Sequence, residues 1–174
     1  MALGPRIPSL GAALLLVAGV LLLLLGGDED DPGRPDARAG GGSASGVVTR
    51  VVDGDTAEVE LEGGEEDVRY IGVDTPESVA PDQPVECYGK EASDFNRELV
   101  EGQRVRLRFG AERRDRYGRL LAYVYLGDRF VNAELVRQGY ARTLEIAPNT
   151  DFAALFDRLQ QHAANAGRGL WTAC

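Results

Sequence analysis

Residues 46–61 read GVVTRVVDGDTAEVEL, and this stretch decides the fold. Two runs rich in β-branched residues flank an Asp-Gly turn signal, so the pattern is strand, tight turn, strand. Downstream, GGEED (63–67) supplies the next turn and VRYIGV (68–73) a third strand. That strand runs into DTPE (74–77), where Asp, Thr and Pro favour a turn. Taken alone, Arg69 reads as a solvated strand residue and DTPE as an ordinary loop. Further out, EASDFNRELVEG (91–102) places Ala92, Phe95, Leu99 and Val100 at helical spacing, with Gly102 as a stop. RVRLRF (104–109) alternates arginine with Val105, Leu107 and Phe109, a strand with one wet face. GRLLAYVYL (118–126) is a fifth strand, and Gly127-Asp128 turns into RFV. NAELVRQG (132–139) is a short helix. DFAALFDRLQQHAANAG (151–167) is a longer one, with Phe152, Leu155, Phe156 and Leu159 on one stripe. Five short strands interrupted by a helix predict an α+β domain: a five-stranded closed barrel of the oligonucleotide/oligosaccharide-binding (OB) kind with three helices.

The chain has 174 residues, enough for one domain with a real core and some extra. The extra lies at the N-terminus. Leu10 to Leu25 contains no charged residue, and residues 7–27 would make a helix of roughly 31 Å, enough to cross a bilayer core. Arg6 before the run and the acids from Asp28 to Asp31 after it favour the N-terminus inside. A cleaved secretory signal is the rival, but the first Ala-x-Ala, Ala37-Arg38-Ala39, lies well past the apolar run. Residues 1–27 are thus a signal anchor or a signal peptide. Residues 28–46, rich in Gly, Asp, Pro and Ser, are a flexible linker, and the folded domain is 47–174. Both readings of the leader make the protein extracytoplasmic, membrane-anchored or secreted.

Two cysteines, Cys87 and Cys174, lie in that domain. Outside the cytoplasm such a pair tends to be oxidised, so a disulfide is expected, with two free thiols as the other possibility. A zinc site is excluded in practice, since His162 is the only histidine. That residue reads as a helix-surface side chain.

The formal net charge of −9 is unusual for a protein that handles nucleic acid. Charge is unevenly placed, however. Seven arginines (104, 106, 108, 113, 114, 116 and 119) are opposed in that interval only by Glu112 and Asp115. This is either a basic patch or the solvated face of a strand pair. Asp53 and Asp55 flank Gly54 at the hairpin turn, while Asp74 and Glu77 follow the third strand. Asp-Gly-Asp alone reads as an ordinary turn. The two segments can meet at one rim of a small barrel, and hard oxygens gathered there suit a hard cation such as Ca²⁺. Strict alternation would put Arg69 and Asp74 on opposite faces, and Gly72 marks the bend that can bring them together.

VVDGDT (51–56), RYIGVDTPE (69–77), YGKEAS (88–93), DRYGRLLAYVY (115–125) and VNAELVRQGYAR (131–142) together resemble the staphylococcal nuclease, or thermonuclease, family. The blocks stand in the family's order and spacing and span residues 47–171. The resemblance implies a Ca²⁺-dependent phosphodiesterase that cuts DNA and RNA and leaves 3′-phosphate ends. It implies that Asp55 and Asp74 ligate calcium with the Thr75 carbonyl, and that Glu77 acts on the attacking water. Arg69 and Arg119 would bind phosphate, Tyr117 would lie at the nucleotide site, and Asp53 would order waters or the turn. The chain departs from the family at RTLEIAPNTD (142–151), where two nucleotide-site tyrosines are missing. A non-catalytic nucleic-acid-binding OB module is the alternative, but such modules lose the carboxylates and arginines that this chain keeps. The expected partners are DNA or RNA, and the membrane if the leader is retained. The expected state is a monomer.

If residues 7–27 span the membrane uncleaved, the full-length protein will fractionate with membranes. A soluble form whose N-terminus lies in residues 27–46 would show release by a peptidase instead.

Overall fold

The computed structural model describes Met1, residues 42–79 and residues 84–174. The apolar leader and most of the linker lie outside the described residues, so the anchor and signal readings are not addressed. Among the described residues no helix is long and apolar enough to cross a membrane.

Five strands close on themselves. β1 (Ser43–Asp53), β2 (Thr56–Leu61) and β3 (Gly64–Tyr70) form an antiparallel meander. A two-residue β4 (Val73–Asp74) follows, then α1 (Gly89–Val100), then β5 (Arg104–Arg114) and β6 (Leu120–Leu126). β5 pairs antiparallel with both β1 and β6. Parallel pairing of β3 with β6, through Val68↔Leu120, Arg69↔Leu121 and Tyr70↔Ala122, closes the barrel. The chain then runs through β7 (Arg129–Phe130), α2 (Val131–Gln138), β8 (Arg142–Thr143), α3 (Ala153–Asn165) and the one-turn α4 (Leu170–Ala173). The architecture is α+β, a five-stranded OB barrel with helices; α4 adds one short turn of helix to the three expected.

Alternation builds the core. Val105, Leu107 and Phe109 of β5 point inward, and Arg104 and Arg106 point out. Val48, Val59, Val68, Leu120 and Val124 pack against them. Each such side chain contributes about 1.5–3 kcal/mol on burial, before the entropy of ordering is counted.

Two boundaries differ from the sequence reading. β1 begins at Ser43, so the last residues assigned to the linker belong to the sheet, with Ser43–Val47 paired to Arg108–Arg104. Ser-Ala-Ser-Gly has no apolar alternation, because backbone hydrogen bonds hold it. Gly46 resembles a linker glycine, yet a Cβ there would lie 2.4 Å from the Glu60 carbonyl oxygen. GGEED is not a turn either. Only Glu62 and Gly63 turn, and Glu65, Glu66 and Asp67 are strand residues opposite Glu60, Val59 and Glu58. Their acidity hid the strand, and a cation takes part of it: Arg114 forks onto Glu66 at 2.7 and 2.9 Å, while on the facing strand Arg50 pairs with Glu58.

Two buried asparagines tie helices to the barrel. Asn96 of α1 donates to the Asp53 carbonyl (3.2 Å) and accepts from Tyr70 Oη (3.3 Å). Asn132 of α2 accepts from the Val124 amide (2.9 Å) and donates to the Ile71 carbonyl (2.9 Å). At the far end, Leu170 is buried and the Trp171 ring lies under the Arg142 guanidinium, 5.3 Å away. Cys87 and Cys174 are joined in a disulfide, with their Cα atoms 5.9 Å apart.

β3 ends in a sharp bend at Gly72, whose φ is +79° and whose missing Cβ would lie 2.4 Å from Phe156 Cε2. Both facts demand glycine. Gly72→Ala should therefore cost about 2–4 kcal/mol through backbone strain and overpacking together. Urea titration of the variant checks this; an unchanged midpoint would contradict it.

Candidate active site

The bend at Gly72 sets the site. Reversing direction there brings Asp74 beside Arg69, two residues that plain alternation would have separated. Arg69 Nη2 donates to Asp74 Oδ1 at 2.9 Å, and Nη1 lies 3.0 Å from Asp55 Oδ2. The same Nη1 donates to the Tyr70 and Val73 carbonyls at 3.1 and 2.8 Å. One guanidinium thus joins the β1–β2 turn, the end of β3 and β4.

Asp55 is only 4% exposed, and its Oδ2 also accepts from the Thr75 amide at 2.8 Å. Burial pushes its carboxyl up, against the pull of Arg69 and the Thr75 amide. Thr75 fits here because Gly54 has no side chain: a Cβ on Gly54 would lie 2.7 Å from Thr75 Oγ1. Asp53 accepts from the Gly54 amide (2.7 Å) and from Ser78 Oγ (2.5 Å), which links the turn to the loop after β4. Its carboxyl is pushed up to about 6, first by burial, with Asp55 and Glu77 adding repulsion against the hydrogen bonds from Ser78 and Gly54. Glu77 is half-buried on that loop, and its Oε1 accepts from the Val79 amide at 2.8 Å.

The second arginine stands on another element. Asp115-Arg-Tyr-Gly-Arg119 is a turn built by the Asp115 side chain, whose Oδ1 accepts from the Tyr117 and Arg119 amides at 2.9 and 3.0 Å. Its Oδ2 accepts from Arg119 Nε at 2.7 Å, so the same carboxylate that makes the turn aims the guanidinium. Burial works against the Asp115 charge, but those hydrogen bonds outweigh it and hold the carboxyl below its usual range. Sequence reasoning missed this role; the signal was Asp four residues before Arg across a Tyr-Gly turn. Tyr117 is 69% exposed, under Arg116 (4.7 Å) and beside Arg119 (5.4 Å).

Arg69, Arg119 and Tyr117 line one groove of about 510 Å³, with Leu121, Leu144, Ile146 and Asn149. Asp55, Asp74, Thr75 and Glu77 do not line it; the first two connect to it through Arg69. Leu144 and Ile146 are exposed apolar side chains on the groove wall, within the stretch where the sequence lacks tyrosines. Asn149 holds that wall to β5, accepting from the Glu112 amide (2.9 Å) and donating to its carbonyl (2.8 Å).

A hard cation fits the donors at the carboxylate end. They are oxygens only, burial first and neighbouring carboxylates second push two carboxyls there up, and Thr75 Oγ1 is buried without a hydrogen-bond partner. Among the described residues no three His, Cys, Asp or Glu side chains stand close enough to hold a metal unaided. Asp55, Asp74 and the Thr75 carbonyl would therefore share an ion with water, as hard cations accept.

Comparison with known proteins agrees with this geometry. A family model described as Staphylococcal nuclease homologue matches residues 67–173. The chain is 45% identical over 125 residues to the Thermonuclease of Staphylococcus intermedius, covering 72% of this chain and 74% of that one. It is 43% identical to the Thermonuclease of Staphylococcus hyicus over the same shares. It is also 40% identical over 128 residues to Endonuclease YncB of Bacillus subtilis (strain 168), covering 72% and 61% of the two chains.

The raised Asp53 carboxyl has a sign that can be measured. In the fold it holds a proton up to about pH 6, whereas its ordinary value is 3.8. Its ionisation therefore lowers stability above pH 6, and that loss fades as pH falls from 6 towards 4. With chelator present, lowering the pH from 7 to 5 should raise the melting temperature, by an effect of about 1.4 kcal/mol, since roughly one pH unit of the window is crossed. Asp53→Asn should raise stability at pH 7 and flatten the dependence. Circular dichroism melts checks it; an unaltered pH dependence in Asp53→Asn would count against the assignment.

Proposed function

The chain belongs to the staphylococcal nuclease family, and from that premise we propose that it is a Ca²⁺-dependent phosphodiesterase hydrolysing DNA, RNA or both to 3′-phosphate ends. The observation that carries this reading is Arg69, held between Asp55 and Asp74 at one end of a groove that also presents Arg119 and Tyr117. Carboxylates for a hard cation and guanidiniums for a phosphate meet at one residue.

The roles follow from charge. Water attack on a phosphodiester builds negative charge on the phosphoryl oxygens, and the planar forks of Arg69 and Arg119 are suited to bind them bidentately. Both forks are oriented in advance, Arg69 by two backbone carbonyls and two carboxylates, Arg119 by Asp115. Such preorganisation stabilises the transition state without reorganisation at the moment of reaction. Asp55, Asp74 and the Thr75 carbonyl would hold Ca²⁺, and the chemistry the ion would supply is neutralisation of phosphoryl charge. Glu77 orients the attacking water and takes its proton. A P–O bond forms to that water, the bond from phosphorus to the 5′-oxygen breaks, and the leaving oxygen is protonated from solvent. Tyr117, Leu144 and Ile146 offer the base one aromatic and two aliphatic faces, contacts that carry little sequence discrimination.

The protein acts outside the cytoplasm, secreted or held at the membrane by residues 7–27, as a monomer. An oxidised Cys87–Cys174 pair is consistent with that compartment.

Glu77→Gln should lower turnover by at least about 10²-fold with substrate binding largely kept. Arg119→Ala should lower turnover as well. Asp55→Ala and Asp74→Ala should first weaken Ca²⁺ binding, with part of the activity regained at excess calcium. Cleavage of single-stranded DNA and of RNA, with Ca²⁺ or with chelator, tests the whole reading. Near-wild-type turnover in both Glu77→Gln and Arg119→Ala at saturating Ca²⁺ and substrate would overturn it.

A further inference from the structure

Glu77 is gripped by the segment that carries Glu86. Its backbone amide donates to Glu86 Oε2 at 3.0 Å, and its carbonyl accepts from the Glu86 amide at 2.9 Å. One residue therefore binds both polar groups of the Glu77 main chain. Gly89 completes the grip, because a Cβ there would lie 2.5 Å from the Glu77 carbonyl oxygen. Glu86 is solvent-exposed and makes no ion pair among the described residues. Its carboxylate is thus directed at the Glu77 main chain, while its own carbonyl accepts from the Gly89 amide at 2.9 Å.

The gripping segment is itself fastened. Cys87 is bonded to Cys174, far away in sequence. Tyr88 adopts φ +71°, a left-handed conformation costly for a residue other than glycine. Its ring stacks on Tyr140 at 5.5 Å, which stacks on Phe95 of α1 at 4.2 Å. A covalent bond at 87 and an aromatic stack at 88 thus keep a strained turn in place, and that turn carries Glu86.

We propose that Glu86 is a positioning residue for Glu77, and that the Cys87–Cys174 bridge fixes Glu86 in that role. The inference rests on the reading of Glu77 as the residue that handles the attacking water. A general base acts only within hydrogen-bond reach of its proton, and small displacements of reacting groups are costly in rate. Two hydrogen bonds to the peptide of Glu77 set where its side chain starts. Oxidation of the cysteine pair then ties full activity to the compartment in which the bridge forms.

The test measures kcat and KM of the full chain on single-stranded DNA at saturating Ca²⁺. Glu86→Ala should lower kcat roughly tenfold and leave KM within about twofold, an effect sized by the displacement cost of a reacting group. Glu86→Gln keeps an acceptor oxygen for the Glu77 amide and should stay within about threefold of wild type. In a Glu77→Gln background, Glu86→Ala should cause no further loss, since a positioning residue has nothing left to position. The Cys87→Ser, Cys174→Ser pair should lower kcat in the same manner and add nothing to Glu86→Ala. If Glu77→Gln is slow but Glu86→Ala turns over like wild type, the positioning role falls and the reading of Glu77 stands. A full additional loss from Glu86→Ala on top of Glu77→Gln also overturns it. Wild-type turnover in Glu77→Gln sinks both.

Discussion

The guanidinium of Arg69 is the group on which the rest of the site depends. Asp55 is buried at the β1–β2 turn, and a buried carboxylate is tolerated only when paired and hydrogen-bonded. Arg69 supplies the pairing, and the Thr75 amide adds a hydrogen bond. The other side of the same fork meets Asp74, whose side chain is 54% exposed, so the positive charge connects an interior acid with one at the surface. Three consequences follow. The β1–β2 turn cannot move without β3, the bend at Gly72 has a fixed depth, and the loop carrying Glu77 starts from a fixed point. Stability and chemistry are coupled there, because the residues that keep the turn folded also keep negative charge concentrated.

Barrel closure explains why a site can be assembled from such distant stretches. Parallel pairing of β3 with β6 sets Arg69 opposite Leu121, two residues beyond Arg119. The two arginines therefore share a groove although fifty residues separate them in the chain. Much of this was legible. Alternation in RVRLRF, the Asp-Gly turn and the strand that breaks at DTPE identified the barrel and its carboxylate rim. What stayed hidden was held by contacts that leave no periodic signature. Ser43–Gly46 reads as linker because its ladder is made of backbone atoms. Glu65–Asp67 reads as a turn because acids on an outer face look like loop residues. Asn96, Asn132 and Asp115 are single polar residues whose work is done by one side chain reaching another element, and sequence spacing does not show where a side chain ends.

The arginine-rich strand shows the opposite limitation, a strong signal with divided use. Arg114 is engaged by Glu66 and Arg108 by Asp151, with Arg108 also lying over Tyr123 and Phe152. Arg106 lies over Tyr125 and Arg113 over Phe109, in each case 4.2 Å from the ring centre. These contacts cover aromatic surface with the flat guanidinium and its stem. The patch is thus partly a lid on the barrel's own aromatics, and fewer of its charges are left for a polyanion than a count of arginines suggests. Arg116 and Arg119 line the groove, so the positive charge they carry, with Arg119 aimed by Asp115, is concentrated there rather than along a broad face.

Arg142 joins two parts of the molecule that otherwise look unrelated. Across β4–β8 it is the backbone partner of Asp74, and its guanidinium lies over Trp171. The chain contains one tryptophan. An indole's emission depends on nearby charge, and this indole sits under a cation whose strand neighbour is a candidate calcium ligand. The protein therefore carries a built-in optical reporter, one strand removed from the carboxylate rim and three residues from the bridge at Cys174. Changes at either place can be followed in unlabelled protein as light from a single ring.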